Sequence, residues 1–238
     1  MNANSSKRAV VTGATRGIGW AVAERLAADG VDVFATGTTA DGPAPPGCSY
    51  LDGDFSSPGG IEKLAAEIRR LAPAILINNA GINKIGPFGD IAPEDFELIQ
   101  RVNVTAPFRF CQAALPAMRT AGWGRIVNVC SVWGKMGKEL RASYASSKFA
   151  IAGMTSSLAA EVAKDGILAN CVSPGPIETE MTRANLNETM LSDLLKAVPA
   201  GRLGRPEEVA ALIAWLVSSE NTFVAGQNIA IDGGMTRV

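Results

Sequence analysis

The sequence contains no histidine in its 238 residues, which removes the usual Ser-His triads and every histidine-ligated metal site. Its four cysteines, Cys48, Cys111, Cys130 and Cys171, show no CxxC spacing. Most fall in apolar strand or helix patterns, where reduced buried thiols are the default, so no metal is expected. The longest apolar run, Val209 to Val217, is far below the roughly 20 residues that cross a bilayer. With a net charge of -1 and no block dense in Lys or Arg, neither nucleic acid nor a membrane surface is an expected partner. The opening MNANSSKRAVV lacks the apolar centre of a signal peptide, and the expectation is a cytoplasmic protein.

What is present is a regular alternation. Short apolar strand patterns and amphipathic helical patterns follow one another along the chain, with no internal repeat and no shift in composition. That order predicts an α/β fold, a doubly wound parallel sheet with helices on both faces, as one domain over 1–238. The first unit is RAVVT, then GATRGIG, then the helix WAVAERLAADG, with Gly30 closing it. Gly13, Gly17 and Gly19 allow a tight turn and a close approach of backbone to ligand, and the free amides at the helix N-terminus attract a pyrophosphate.

The second strand, VDVFAT, ends where dinucleotide sites commonly keep an acid for the ribose 2'-hydroxyl. Gly37 stands there, flanked by Thr36, Thr38 and Thr39, while Arg16 projects from the glycine turn. Without a carboxylate to repel it, and with an arginine and hydroxyls to bind it, a 2'-phosphate is favoured; NADP(H) is the preferred cofactor and NAD(H) the alternative. The prolines of ADGPAPPG forbid a helix before the third strand, around Ser49 to Asp52. Asp54 and Phe55 follow that strand; Asp54 either accepts from the adenine amino group or caps the next helix. After the strand AILI, the run Asn78-Asn79-Ala80-Gly81 suits a ribose and ring close to the backbone, or is a turn and nothing more.

Further on, Pro107 interrupts a long helical pattern and cannot donate to the carbonyl one turn back, so a kink is expected near Asn103 to Pro107 where backbone groups need other partners, and a buried asparagine there can hold a water. The strand GWGRIVNVCS then delivers Ser131 to the edge that carries the glycine turn. Thirteen residues later a helix opens with Tyr144 and carries Lys148 one turn on, on the same face. An ammonium about 4 Å from the phenol oxygen would favour the phenolate by roughly 4 kcal/mol at an effective dielectric of ~20, which makes the tyrosine a usable acid/base. The bland alternative is an amphipathic helix with a solvated charge. The stretch from Met181 to Leu195, rich in Met, Leu, Thr and Asn, is expected to form a substrate lid over about 181–200.

TGATRGIG, NNAG, Ser131 with YASSK, SPGPIET and the closing DGG together resemble the compact single-domain short-chain dehydrogenase/reductases over essentially the whole chain. The nearest subgroup in pattern is the 3-oxoacyl-acyl-carrier-protein reductases. The resemblance implies a Rossmann sheet of order 3-2-1-4-5-6-7 and a catalytic tetrad of Asn103, Ser131, Tyr144 and Lys148. In it Tyr144 exchanges the proton, Ser131 holds the substrate oxygen, Lys148 supports the tyrosine and binds the nicotinamide ribose, and Asn103 orders a water. It implies cofactor contacts from Gly13, Thr15, Arg16, Gly17, Ile18, Gly19, Thr36, Gly37, Thr38, Asp54, Phe55, Asn79, Ala80, Gly81, Tyr144, Lys148, Pro174, Gly175, Ile177 and Thr179. A homotetramer is also implied; the small residues Ala145, Ala150, Gly153 and Ser157 would allow close packing between subunits, and a helix packed inside its own domain explains them equally well.

The expected activity is transfer of hydride between NADP(H) and a small ketone or secondary alcohol. A fatty-acid-synthesis reductase acting on a carrier protein is an alternative. The positions where that subgroup presents basic residues to the acidic carrier read Gly122 and Asp165 here, which would not steer it. A cofactor-sensing or scaffold protein on the same fold would be expected to have lost part of the tetrad, and all four positions are filled.

Overall fold

The computed structural model describes residues 7–180, 182 and 188–237. Its frame is a seven-stranded sheet of order β3-β2-β1-β4-β5-β6-β7, with every neighbouring pair parallel. The strands are β1 (Arg8–Val11), β2 (Asp32–Gly37), β3 (Cys48–Asp52), β4 (Ile75–Asn78), β5 (Gly124–Val129), β6 (Ile167–Pro174) and β7 (Asn228–Ile231). This is the expected order. The direction of winding reverses between β1 and β4, and such a reversal opens a crevice at the carboxyl ends of the strands.

Helices cover both faces because successive strand side chains point to opposite sides. Ala9 and Val11 of β1 join one core with Val22 and Leu26 of α1 (Gly17–Ala28) and Ile213 and Leu216 of α7 (Pro206–Val217). Val10, between them in sequence, faces the other core, with Leu64 and Ile68 of α2 (Pro58–Leu71), Phe110 and Met118 of α4 (Ala106–Ala121) and Val162 of α5 (Ala142–Val162). α3 (Pro93–Gln100) reaches the second core through Leu98, and α6 (Glu188–Lys196) packs Leu194 on a small separate cluster of Val132, Val198 and Met235.

The segment from Ala40 to Gly47 carries no helix, as its prolines require. The expected kink at Pro107 takes another form. α3 runs into α4 through a π-helical turn, Arg101–Thr105, so the extra residue is absorbed without breaking the helix. Of the expected lid, residues 181 and 183–187 lie outside the described residues; Leu191 to Ala197 finish α6 and its turn. Among the described residues no helix is long and apolar enough to cross a membrane, and no group of three or more metal-ligating side chains occurs.

Candidate active site

The crevice begins at the turn after β1, where each glycine has its own steric reason. Gly13 has φ +64°, and a Cβ on it would sit 2.8 Å from Ala80 Cα. A Cβ on Gly19 would sit 2.3 Å from the Gly13 carbonyl oxygen. Thr12 locks the turn to the next strand end: its hydroxyl oxygen accepts from the amides of Asn79 and Ala80, both at 3.0 Å. Asn79 Nδ2 returns donations to the carbonyls of Thr12 and Gly13, each at 2.9 Å.

α1 then starts with extended Arg16 as its N-cap and no side-chain cap, and its first turn holds no acid. Its first intrahelical bond is Trp20 N–H to the Arg16 carbonyl, so the amides of Gly17, Ile18 and Gly19 precede the ladder. Glycine-bared backbone around uncapped amides fits the pyrophosphate of a dinucleotide. Thr15 flanks this cradle on the adenosine side.

At the end of β2, Thr36 is fully buried and its hydroxyl accepts from Gly13 N–H at 3.3 Å, so it braces the turn. A Cβ on Gly37 would come within 2.4 Å of Thr15 Cγ2 and 2.7 Å of the Tyr50 hydroxyl. Any side chain there would have to displace Thr15 and Tyr50, and the sequence places no carboxylate at this position. Tyr50 donates to the Thr39 carbonyl and fixes the Thr38-Thr39 corner, whose residues are exposed, as is Arg16.

At the adenine end the structure removes one of the two alternatives for Asp54 and limits how Phe55 can meet a ligand. Asp54 does not cap α2: its carboxylate accepts from the backbone and hydroxyl of Ser56, both at 2.9 Å, and the cap is Ser57, which accepts from Gly60 N–H. The Phe55 ring is buried edge-on against Phe110, with centroids 4.9 Å apart, so only its backbone is left to face a ligand.

The catalytic candidates gather beyond the next strand. Ser131 leaves β5 as the cap of a short 3-10 turn, its hydroxyl accepting from Trp133 N–H at 3.2 Å. That turn lies flat on α5, because a Cβ on Gly134 would be 2.9 Å from Lys148. Lys148 is 4% exposed; its Nζ donates to the Val129 carbonyl at 2.8 Å and stands 5.4 Å from the Tyr144 ring centroid. Built on Gly81, a Cβ would lie 3.5 Å from Lys148 Nζ and 3.3 Å from Asn103 Oδ1. Gly81 thus lies against Lys148 and Asn103, Lys148 lies beside the Tyr144 ring, and the turn that Ser131 opens lies against the Lys148 backbone.

Asn103 sits in the π turn and is almost fully buried. Its amide clamps Ile82 through both backbone groups, each at 2.9 Å, and donates to Ser147 Oγ at 3.0 Å. Ser147 in turn donates to the Tyr144 carbonyl at 2.7 Å. The side chain is therefore structural glue between the NNAG loop and α5. Pro107 has no N–H for the Asn103 carbonyl four residues back, which leaves that carbonyl as the group able to hold a water.

The loop after β6 closes the crevice from the far side. Gly175 packs on Asp232, where a Cβ would be 2.8 Å from Cα, so Pro174 and Gly175 seat the closing DGG segment. Ile177 bridges to Gly204. The methyl of Thr179 lies 3.3 Å from a Cβ built on Gly17, and its hydroxyl pairs with Thr182 at 3.1 Å. Arg202 fixes this support by its bond to Glu208, which also takes the Arg205 amide; together they hold the Glu208 carboxyl down at about 2.

Sequence reading missed Thr12, Ser147 and Arg141. A hydroxyl residue at the last position of β1 is the one available signal for the first, and Ser147 was visible inside YASSK. Arg141 caps α5, and burial pulls its guanidinium below the ordinary arginine range, with the Tyr144 phenol opposing the shift. Of the small face expected on α5, Ala145 is buried in its own chain, while Ala150, Gly153 and Ser157 are exposed.

A parallel sheet with a glycine cradle at its switch point and a Ser-Tyr-Lys patch beside it defines the class of dinucleotide-dependent oxidoreductases. Comparison with known proteins agrees. A family model described as enoyl-(acyl carrier protein) reductase matches residues 13–236. The 3-oxoacyl-acyl-carrier-protein reductase FabG of Vibrio cholerae is 40% identical over 238 residues, covering 96% of this chain and 97% of that protein. The Escherichia coli K12 protein of the same name is also 40% identical, over 98% of both. Among solved structures, a candidate NAD(P)-dependent gluconate 5-dehydrogenase from Beutenbergia cavernae with bound NADP superposes with TM-score 0.90, 31% identity and 98% coverage of both chains. The chain belongs to the short-chain dehydrogenase/reductase family, oxidoreductases that act on CH–OH or C=O groups.

Proposed function

We propose that the protein is an NADP(H)-dependent reductase of a small ketone or aldehyde, or dehydrogenase of the corresponding alcohol, working through Tyr144, Ser131, Lys148 and Asn103. One observation carries the reading: the buried Lys148 ammonium, fixed on Val129, stands beside the Tyr144 ring, with the Ser131 turn pressed on the same helix. When bound, the nicotinamide supplies or accepts hydride at the substrate carbon.

The protein's own residues do the rest. The glycine turn, with Thr15, Ile18, Asn79 and Ala80, holds the dinucleotide, while Ile177 and Thr179 close over its nicotinamide end. Ser131 donates to the substrate oxygen and orients it. Tyr144 gives that oxygen its proton as charge develops, or takes it in reverse, and the Lys148 cation stabilises the phenolate left behind. The Asn103 carbonyl holds a water through which the proton is replenished.

Arg16 and the exposed Thr38-Thr39 corner support NADP(H) over NAD(H), since Gly37 brings no acid to repel a 2'-phosphate. Similar solved structures include both kinds, with NADP bound in one and NADH in a 4-hydroxyisoleucine dehydrogenase. Titration of NADPH and NADH by fluorescence decides this, and tighter NADH binding overturns it.

The curated relatives' name makes acyl-carrier thioesters the second reading. Against it, Gly122 ends α4 with no side chain, and Asp165 is paired with Arg119 at 3.1 Å, which leaves the neighbouring exposed Lys164 as the cation this rim would offer an acidic carrier. Assay of wild type and Tyr144→Phe on small ketones and on a 3-oxoacyl carrier thioester tests both readings. Tyr144→Phe is expected to keep NADPH affinity and lose about 100-fold or more of turnover; near-normal turnover rejects the mechanism. We extend the reading to a homotetramer using the exposed face around Ala150, Gly153 and Ser157, which light scattering checks.

A further inference from the structure

Arg141 stands one turn before Tyr144, at the N-cap of α5. Folding gives it no evident purpose there. A helix N-terminus favours acids and disfavours cations, and the first turn of α5 has no acid to offset it. The Arg141 side chain makes no capping bond; only its carbonyl is used, by Ala145 N–H at 2.7 Å.

Partial burial sharpens the point. Arg125, the buried arginine whose desolvation is also felt, donates to the carbonyls of Gly124, Gly166 and Asn221 and lies over the Trp123 ring. Arg8, Arg25, Arg70, Arg109, Arg119 and Arg202 are paired with carboxylates. Among the described residues Arg141 has neither a carbonyl nor a carboxylate, and the titratable group it faces is the Tyr144 phenol. A half-buried guanidinium without an acceptor is costly unless something else supplies one.

The backbone just before it is strained. Leu140, the residue before, has φ +63°, a left-handed conformation uncommon for a side chain of its size, and Gly86 N–H holds its carbonyl at 3.2 Å. Around this corner Ile85, Met136 and Leu140 are 40%, 39% and 45% exposed and give the entrance an apolar wall.

Resting on the carbonyl-reductase reading above, we propose that Arg141 is a specificity residue that binds the carboxylate of the substrate, which is therefore a small oxo acid or hydroxy acid. Residues one turn apart on a helix have Cβ atoms about 5–6 Å apart. The anion on Arg141 and the reacting oxygen on Tyr144 thus belong to one short molecule, with a few carbons between them. A long acyl thioester has no charge at that distance.

The test uses matched pairs that share a carbonyl and differ in charge: acetoacetate against ethyl acetoacetate, and 4-oxopentanoate against its methyl ester, each with NADPH. The acid-to-ester ratio of kcat/KM is expected to be at least about 10 in the wild type. It should fall to about 1 in Arg141→Gln, mainly through KM, and recover in part in Arg141→Lys. A ratio near 1 in the wild type, or one unchanged by Arg141→Gln, overturns the proposal. Calorimetric titration of succinate into the enzyme with NADPH present separates this from failure of the parent reading. Binding by wild type and at least tenfold weaker binding by Arg141→Gln upholds the anion site even if no probe is turned over. Equal binding, or none by the wild type, refutes it; loss of the parent reading shows instead as turnover indifferent to Tyr144→Phe.

Discussion

Lys148 donates to the carbonyl of Val129 at 2.8 Å while its ammonium lies 5.4 Å from the centroid of the Tyr144 ring. Val129 is the last residue of the strand that delivers Ser131, so one buried cation ties the serine strand to the tyrosine helix. Lys148→Met keeps much of the apolar stem and removes only the charge and its donors. It should lower kcat/KM at least 100-fold and cost about 1–3 kcal/mol in urea unfolding, the penalty for leaving the Val129 carbonyl unpaired. Full activity in a folded Lys148→Met protein would remove the lysine from the mechanism.

The glycine cradle makes a sterically sharp prediction at Gly19. An added methyl would meet the Gly13 carbonyl oxygen at 2.3 Å and Asn79 Nδ2 at 2.4 Å, both parts of the turn itself. Gly19→Ala should therefore cost about 1–3 kcal/mol and weaken NADPH binding more than tenfold. Gly59, in the first turn of α2 with open space around its Cβ position, is the control. Gly59→Ala should stabilise by roughly 0.4–1 kcal/mol with unchanged cofactor affinity. Two variants with the same melting shift would dissolve the contrast.

The sheet was legible because its signals are local. Val10 between Ala9 and Val11 already shows the two faces, and the prolines of residues 43–46 forbid the missing helix whatever packs on them. What sequence could not show is where a side chain spends its hydrogen bonds. Asp54 looks the same on paper whether it serves adenine, α2 or Ser56, and the choice depends on Ser57 reaching Gly60 first. Phe55 is separated by 55 residues from Phe110, the ring that buries it, so no window of sequence joins them. Pro107 announces a disturbed helix, yet a π turn and a kink both satisfy the lost donor, and the packing of Asn103 on Ile82 and Ser147 accompanies the first. Arg141 was passed over because its meaning lies in partners it does not have.

Asn103 should behave as a coupling residue. Its amide spans Ile82 and Ser147, and Ser147 reaches the Tyr144 carbonyl. Asn103→Ala and Ser147→Ala are each expected to destabilise, and the double variant should lose less than the sum, with a coupling of about 0.5–3 kcal/mol in urea melts. Strict additivity would mean that the 3.0 Å contact carries no energy.

Cys111 supplies a pH test of the core. It is buried between α4 and the sheet, and its contact with Asn78 Nδ2 at 3.5 Å is too weak to offset the loss of water. Burial pushes its thiol from the ordinary 9.0 up to about 12, with Asn78 pulling slightly the other way. Above pH 9 the unfolded chain releases this proton and the folded chain keeps it, so the unfolded state binds fewer protons and stability falls as pH rises. The slope from this group approaches about 1.4 kcal/mol per pH unit and ends near the folded value. Cys171 is also held protonated, by its hydrogen bond with Cys130 and then by burial, but it is common to both proteins and cancels in a difference. Urea unfolding of wild type and Cys111→Ala at pH 8 and pH 10.5 should therefore show the variant, less stable at pH 8 for its lost packing, closing the gap by about 2 kcal/mol at the higher pH. Parallel losses in the two proteins would show that Cys111 exchanges protons with solvent in the folded state as readily as in the unfolded one.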